Sequence, residues 1–110
     1  MDGGTFHRIV KHDPPAIEDF QSDREAGRPR PSDRELARLW EGRSMFRTEA
    51  QARAKARAVP SFGRIIAQVT IPRGSTSIRV ERTFPRSRGH HTVWGDAAEL
   101  HWLLDHTVPV

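Results

Sequence analysis

The sequence predicts an α+β fold in a single domain that spans residues 1–110. Capped helical segments fall in the first half of the chain, whereas strand-like segments gather after residue 63. This order is typical of α+β proteins, because a parallel α/β sheet needs strands and helices in regular alternation. A chain of 110 residues suffices for one modest core, to which three Trp and five Phe contribute.

The first strand is predicted at residues 6–10, where the pattern of apolar and polar side chains is that of an extended segment. The pleat places Phe6, Arg8 and Val10 on one face. Two consecutive prolines then exclude a helix. Residues 16–25 are a short helical candidate beyond them.

Two capping boxes predict two helices. In the first, Ser32 and Glu35 open a helix that ends at Gly42. The second begins at Thr48 and opens a helix that ends near residue 58. Both helices therefore belong to the first half of the chain.

A short strand is predicted between these helices, at residues 43–47, with Ser44 and Phe46 on the same face. The second half of the chain is predicted to be mostly strands. They lie at residues 63–71, at 77–84, in a short segment at 91–94, and as a final strand or strand pair within 99–110.

The net charge of +4 is unevenly distributed. Residues 43–88 hold eleven Arg or Lys against Glu49 and Glu81, a local balance of +9, whereas residues 89–110 carry a balance of −3. A basic body suits a polyanionic partner or an anionic ligand. The alternative is a compositional bias of the genome, because Arg outnumbers Lys sixteen to two.

The composition also bears on the expected cellular compartment and on the kinds of metal site and membrane segment to expect. There is no cysteine, hence no disulfide framework and no thiolate metal site. No segment approaches the roughly 18 apolar residues of a membrane span, and the first residues lack the apolar stretch of a secretory signal. The default expectation is a cytoplasmic protein without a membrane partner.

Three polar residues are candidates for a site. Arg8 lies mid-strand in FHR on an apolar face, where its guanidinium needs an anion unless the strand is an edge strand. Ser44 lies in GRSMFRT, directly before the helical segment EAQARAKA. Glu99 follows the small residues of GDAAEL and is predicted to open a strand. The alternatives are an ordinary strand serine and a solvated glutamate.

Together these three segments resemble the ADP-ribosyltransferase superfamily, in particular its Arg–Ser–Glu group. In that group an arginine lies on the first strand, and a serine-bearing strand leads directly into a helix. A catalytic glutamate stands where a loop enters one of the last strands. The resemblance spans the whole chain. It implies split β-sheets with short helices in the N-terminal half.

The resemblance also implies roles in the cleavage of NAD. Glu99 would stabilise positive charge on the ribose in an oxocarbenium-like transition state. Arg8 would bind the pyrophosphate or the adjoining ribose, and Ser44 would orient Glu99. Phe46 would stack on the nicotinamide, and His7 is a further NAD-binding candidate beside Arg8.

The implied function is that of a small NAD-consuming ADP-ribosyltransferase or NAD glycohydrolase with NAD as its substrate. A bacterial toxin of this kind would have an antitoxin or immunity protein as a partner, and a protein or nucleic acid as the acceptor. Ala97 stands where many members carry an acidic or amide residue two positions before the glutamate. This difference argues against transfer to arginine, or to proteins at all.

Two other functions remain open. A basic ribonuclease or RNA-binding module would use the +9 segment for phosphates and His90, His91 or His101 for acid–base chemistry. A non-catalytic protein-interaction domain on a degenerate transferase fold is the third. No metal site is expected, since adjacent histidines on an extended chain point apart.

Overall fold

The computed structural model describes residues 3–110, which form six strands, three α-helices and two short 3₁₀ helices. The 3₁₀ helices span Ile17–Phe20 and Pro60–Phe62. In chain order the other elements are β1 (Gly4–Val10), α1 (Arg34–Trp40), β2 (Arg43–Phe46), α2 (Glu49–Ala58), β3 (Ile65–Ile71), β4 (Arg79–Arg82), β5 (His90–Trp94), α3 (Ala97–Trp102) and β6 (Leu104–Pro109).

The strands form one antiparallel sheet in the order β4-β5-β2-β1-β3-β6, so the predicted α+β fold is confirmed. β1 pairs with β3 along its whole length, but its pairing with β2 is limited to His7 opposite Phe46. The sheet is therefore continuous, and the split into two sheets that the resemblance implies is not present. We call the short pairing of β1 with β2 the seam. Beyond this pair, the two strands leave room for a side chain between them.

The first face of the sheet carries the larger core. Phe6 and Val10 of β1 point to this face together with Met45 of β2, as the predicted alternation requires. The 3₁₀ helix at Ile17–Phe20 and α3 cover it, because their buried side chains belong to the same core cluster. Removal of this apolar surface from water is the main stabilising contribution.

The second face carries a smaller core and both N-terminal helices. α2 packs its alanine-lined side on Phe46 and Ile66, with Ala52 fully buried at the contact. α1 lies over the β4–β5 end, where Arg38 forms an ion pair with Glu81. The two helices thus leave the middle of this face, above β2 and β5, uncovered between them.

The predicted helices of the first half are partly corrected. Thr48 does cap α2 in a capping box with Gln51, as predicted. The cap of α1, however, is Asp33 and not Ser32, because the carboxylate of Asp33 accepts from the Leu36 amide. Between residues 16 and 25 only the single-turn helix Ile17–Phe20 forms, because backbone groups of this segment bond elsewhere in the fold.

The prediction that Glu99 opens a strand is wrong. Asp96 in an extended conformation begins α3, and Glu99 lies within this helix. Ala97 and Leu100, three residues apart, are both buried against the first face. The final strand begins only at Leu104. Within residues 3–110, no helix combines the length and apolar character needed to cross a membrane.

Candidate functional site

A large cleft occupies the uncovered middle of the second face. Its volume is about 1090 Å³, slightly above the range of about 300–1,000 Å³ that is usual for ligand pockets. β2 and β5 form the floor, α1 lies on one side, and the end of α2 lies on the other. Ser44 and Phe46 both line the cleft, in agreement with their predicted common face.

A chain of hydrogen bonds crosses the floor of the cleft and is centred on His90, the first residue of β5. The Nε2 atom of His90 lies 2.9 Å from Oγ of Ser44, and its Nδ1 atom lies 2.9 Å from Oγ1 of Thr83. Thr83 also bonds Oγ1 of Thr92 at 2.7 Å. Ser44 is exposed to the cleft while the other three residues are buried, so the network opens to solvent at the serine.

Burial favours the neutral form of the His90 imidazole. Burial lowers its pKa below the ordinary value of 6.5, and the charges of His91 and Lys55 act in the same direction. A neutral imidazole has one donor and one acceptor nitrogen. Both nitrogens of His90 have hydroxyl partners, which can donate or accept, so either tautomer satisfies the network.

Arg8 fills the seam between β1 and β2. Its guanidinium donates to three backbone carbonyls, those of Asp19 at 2.7 Å, Ser44 at 2.8 Å and Gln21 at 3.3 Å. These bonds use three of its five N–H groups and leave its positive charge without a carboxylate in direct contact among residues 3–110. Burial, followed by the charge of Arg43, lowers the pKa of Arg8 to about 10.

The position of Arg8 excludes one of the two sequence interpretations, the edge strand. β1 lies between β2 and β3, so Arg8 is not an edge-strand residue that reaches solvent. The side chain lines the cleft instead, with two N–H groups unused by the protein. A half-buried, protonated guanidinium of this kind is suited to a phosphate oxygen.

The walls of the cleft are strongly basic. Six Arg or Lys residues line it within the described part of the chain, against a single carboxylate, Asp23. One of the six, Arg43, is neutralised by Glu25, whose Oε1 lies 2.5 Å from the guanidinium. Asp23 lies 3.5 Å from Arg28. The remaining positive charge favours an anionic ligand.

Aromatic rings stand next to His90. Phe46 contacts the imidazole in an edge arrangement with centroids 5.5 Å apart, and Phe84 contacts it at 4.9 Å. Both phenyl rings line the cleft, as does Trp40 from α1. The cleft therefore offers cations for phosphates and apolar rings for planar bases, the two kinds of group that nucleotides require.

The other predicted site residues lie elsewhere. His7 is buried on the second face opposite Phe46 and is not among the residues that line the cleft. Its Nδ1 atom has no hydrogen-bond partner among residues 3–110. Glu99 is also outside the cleft lining, and its Oε1 accepts a hydrogen bond from Ser77. The structure thus brings Arg8 and Ser44 together but does not bring Glu99 to them.

The histidines of the ribonuclease interpretation do not converge. His90 faces the cleft, whereas its neighbour His91 points to the first face and contacts Phe6. His101 bonds the carbonyl of Pro15 on the far side. Of these three, only His90 therefore belongs to the lining of the cleft. Within residues 3–110, no cluster of three or more His, Asp or Glu residues is arranged to hold a metal ion.

No protein-family model, curated protein or solved structure matches this chain.

Sequence reasoning missed the position of His90 beside Ser44. The resemblance implies a glutamate where a loop enters one of the last strands, whereas the residue beside Ser44 at the start of β5 is a histidine, His90. The available signal was the strand candidate at residues 91–94 after the polar, Gly-containing segment PRSRG. Asp23, the carboxylate in the cleft lining, falls in the segment 16–25 that was predicted as a helix, and that prediction did not indicate a place in a cleft.

Proposed function

We propose that the protein binds NAD in the cleft and cleaves the bond between nicotinamide and ribose, as an ADP-ribosyltransferase or NAD glycohydrolase. One observation carries the proposal. Arg8 and His90 flank Ser44 in a single basic cleft, with Arg8 bonded to the carbonyl of Ser44 and His90 to its hydroxyl. This grouping supports two of the three elements of the resemblance and substitutes His90 for Glu99 in the third.

The composition of the cleft suits a dinucleotide with a pyrophosphate. Arg8 retains two N–H groups for phosphate oxygens, and the nearby carboxylates of Asp19 and Asp23 do not contact its guanidinium directly. Trp40 provides a half-exposed apolar surface for a planar ring on one side, whereas Phe46 on the floor is only 4% exposed and offers little surface for the expected stacking on nicotinamide. The volume of about 1090 Å³ leaves room for two nucleotide moieties and an approaching acceptor.

In the proposed reaction, nicotinamide leaves with the electron pair of its glycosidic bond, and positive charge develops on the ribose. An oxygen or nitrogen of the acceptor, or of water, then bonds the ribose C1′ and loses a proton. The neutral His90 is suited to accept that proton or a hydrogen bond from a ribose hydroxyl. Asp23 is the carboxylate of the cleft that would interact with the developing charge.

The proposal includes a biological role as a bacterial toxin, with an antitoxin or immunity protein as the partner. This part depends on the resemblance of the three sequence segments alone. The proposed enzymatic activity does not depend on the toxin role and is testable on the purified chain.

The test is the release of nicotinamide from NAD by four proteins: the wild type and the variants Ser44→Ala, His90→Gln and Glu99→Gln. We expect release by the wild type and by Glu99→Gln, and a loss of about 100-fold or more in His90→Gln if His90 acts on the proton. Abolition by Glu99→Gln alone would overturn the placement of the site in the cleft. Absence of both release and NAD binding in the wild type would favour RNA binding or a non-catalytic domain.

A further inference from the structure

The mouth of the cleft carries groups that NAD does not require. Lys55 near the end of α2 and Phe62 of the following 3₁₀ helix line one side. Phe84 and Arg86, from the loop between β4 and β5, also line it. Phe62 and Phe84 are 47% and 48% exposed. We call these four residues the mouth cluster.

The two cations of the mouth cluster are not neutralised by the protein. Neither Lys55 nor Arg86 takes part in an ion pair within the part of the chain that the structure describes, in contrast to Arg43 at the floor. Together with Arg8, these two cations can bind phosphates at separate positions along the cleft. A polyanion has phosphates at such repeated positions, whereas NAD has one pyrophosphate.

The backbone at Phe84 is held in an uncommon conformation. Its φ is +49°, in the left-handed region that a residue with a Cβ rarely adopts. A conformation of this type costs on the order of 1 kcal/mol and persists where the surroundings impose it, often at ligand sites. It places the ring against His90 with its remaining surface open to solvent. A half-exposed phenyl ring next to free cations is the arrangement on which nucleic-acid bases stack.

We propose that the mouth cluster binds single-stranded nucleic acid. Lys55 and Arg86 contact its phosphates, while Phe62 and Phe84 stack on its bases. A single strand is required because bases in a duplex do not expose their faces for stacking. A protein acceptor is disfavoured. Asp23 is the single carboxylate among the described lining residues, so the Arg or Lys side chains of an acceptor protein would find few ion-pair partners in the cleft.

The bound strand is in a position to be the acceptor of ADP-ribose, because the mouth cluster and the Ser44–His90 pair belong to the same cleft. This acceptor role rests on the proposed NAD chemistry, whereas binding of the strand does not. The reaction would join the ribose C1′ to an oxygen or nitrogen of the strand, release nicotinamide and transfer one proton to His90 or to solvent.

Binding is tested by fluorescence anisotropy with labelled oligo(U) and oligo(dT) of about twelve nucleotides. The proteins are the wild type, the double variant Lys55→Ala/Arg86→Ala, and the control Arg64→Ala/Arg73→Ala. Both control residues are exposed, unpaired among residues 3–110 and outside this cleft, and their removal changes the net charge by the same amount. For Lys55→Ala/Arg86→Ala, which we call the cleft variant, we expect binding at least about tenfold weaker than that of the wild type. For the control we expect binding to weaken by less than about threefold.

The salt dependence separates the phosphate contacts from the stacking. Each phosphate contact contributes about 0.7 to the slope of log K against log salt for a single strand, so the cleft variant should lose roughly 1.4 in slope. Phe62→Leu/Phe84→Leu should weaken binding about tenfold or more with the slope unchanged. Equal losses in the cleft and control variants, preference for a duplex, or no binding at about 50 mM salt would overturn the inference.

Two further measurements keep this inference distinct from the proposed function. Calorimetric titration with NAD tests the function without an oligonucleotide. Mass spectrometry of the oligonucleotide after incubation with NAD tests the acceptor role, which predicts the addition of one ADP-ribose unit. Nicotinamide release without that addition would overturn the acceptor role and retain the NAD chemistry. Strand binding without NAD binding would support the mouth cluster and overturn the proposed function.

Discussion

His90 and Ser44 lie on neighbouring strands, and the Nε2 atom of His90 is 2.9 Å from Oγ of Ser44. The other nitrogen of His90 bonds the buried hydroxyl of Thr83, which in turn bonds Thr92. The two ends of this network therefore differ. Water can replace His90 as the hydrogen-bond partner of the exposed Ser44, whereas it cannot reach the two buried threonines.

The network predicts unequal effects of its two ends on stability. His90→Leu removes a partner of the buried Thr83 hydroxyl, and we expect a loss of about 1–3 kcal/mol in the free energy of unfolding. Ser44→Ala exposes His90 to the cleft, where water can replace the hydroxyl, and should cost less than about 1 kcal/mol. Urea denaturation measures both. Equal losses would contradict the asymmetry of the network.

The pH dependence of stability follows from the lowered pKa of His90. Since burial lowers this pKa below 6.5 in the folded state, the unfolded chain binds the proton more readily. Stability from this group is thus complete above about pH 6.5 and decreases as the pH falls toward the folded-state pKa. Urea denaturation between about pH 5 and pH 7.5 should show this slope in the wild type. His90→Gln should reduce it, and an unchanged slope would exclude His90 as its origin.

The ion pair between Arg43 and Glu25 should be far more important than exposed pairs. The Arg43 side chain is 1% exposed, so Glu25→Gln leaves a buried cation without its carboxylate. We expect a loss of about 3–5 kcal/mol in the free energy of unfolding. The matched control is Glu41→Gln, which breaks an exposed pair with Arg24 and should cost at most about 1 kcal/mol. A similar cost for both variants would show that Glu25 has no special role.

Local sequence signals predicted the elements that depend on local interactions. Thr48 caps α2 because its hydroxyl and the Gln51 side chain satisfy backbone groups three residues apart. The alternation in β1 likewise predicted which residues enter the core. The segment at residues 16–25 failed as a helix because Arg8, distant in sequence, binds the carbonyls of Asp19 and Gln21.

The candidate site was predictable only in part. Ser44 and Phe46 were placed on the cleft face by the pleat of a single strand, which is a local property. The partner of Ser44 depends on how β2 pairs with β5, and this register brings His90 next to it. Glu99 was misplaced because its small-residue segment was interpreted as a loop before a strand, whereas Asp96 and the two alanines begin a helix.

The most direct measurement is calorimetric titration of NAD into the wild type, Ser44→Phe and Thr76→Phe. Ser44→Phe adds a ring on the floor of the cleft, and Thr76→Phe adds the same ring at an exposed turn outside it. We expect NAD to bind the wild type and Thr76→Phe with similar affinity, and binding to Ser44→Phe to be at least about tenfold weaker, a change of about 1.4 kcal/mol. Equal binding to all three proteins, or no binding to the wild type, would contradict the assignment of the cleft as the NAD site.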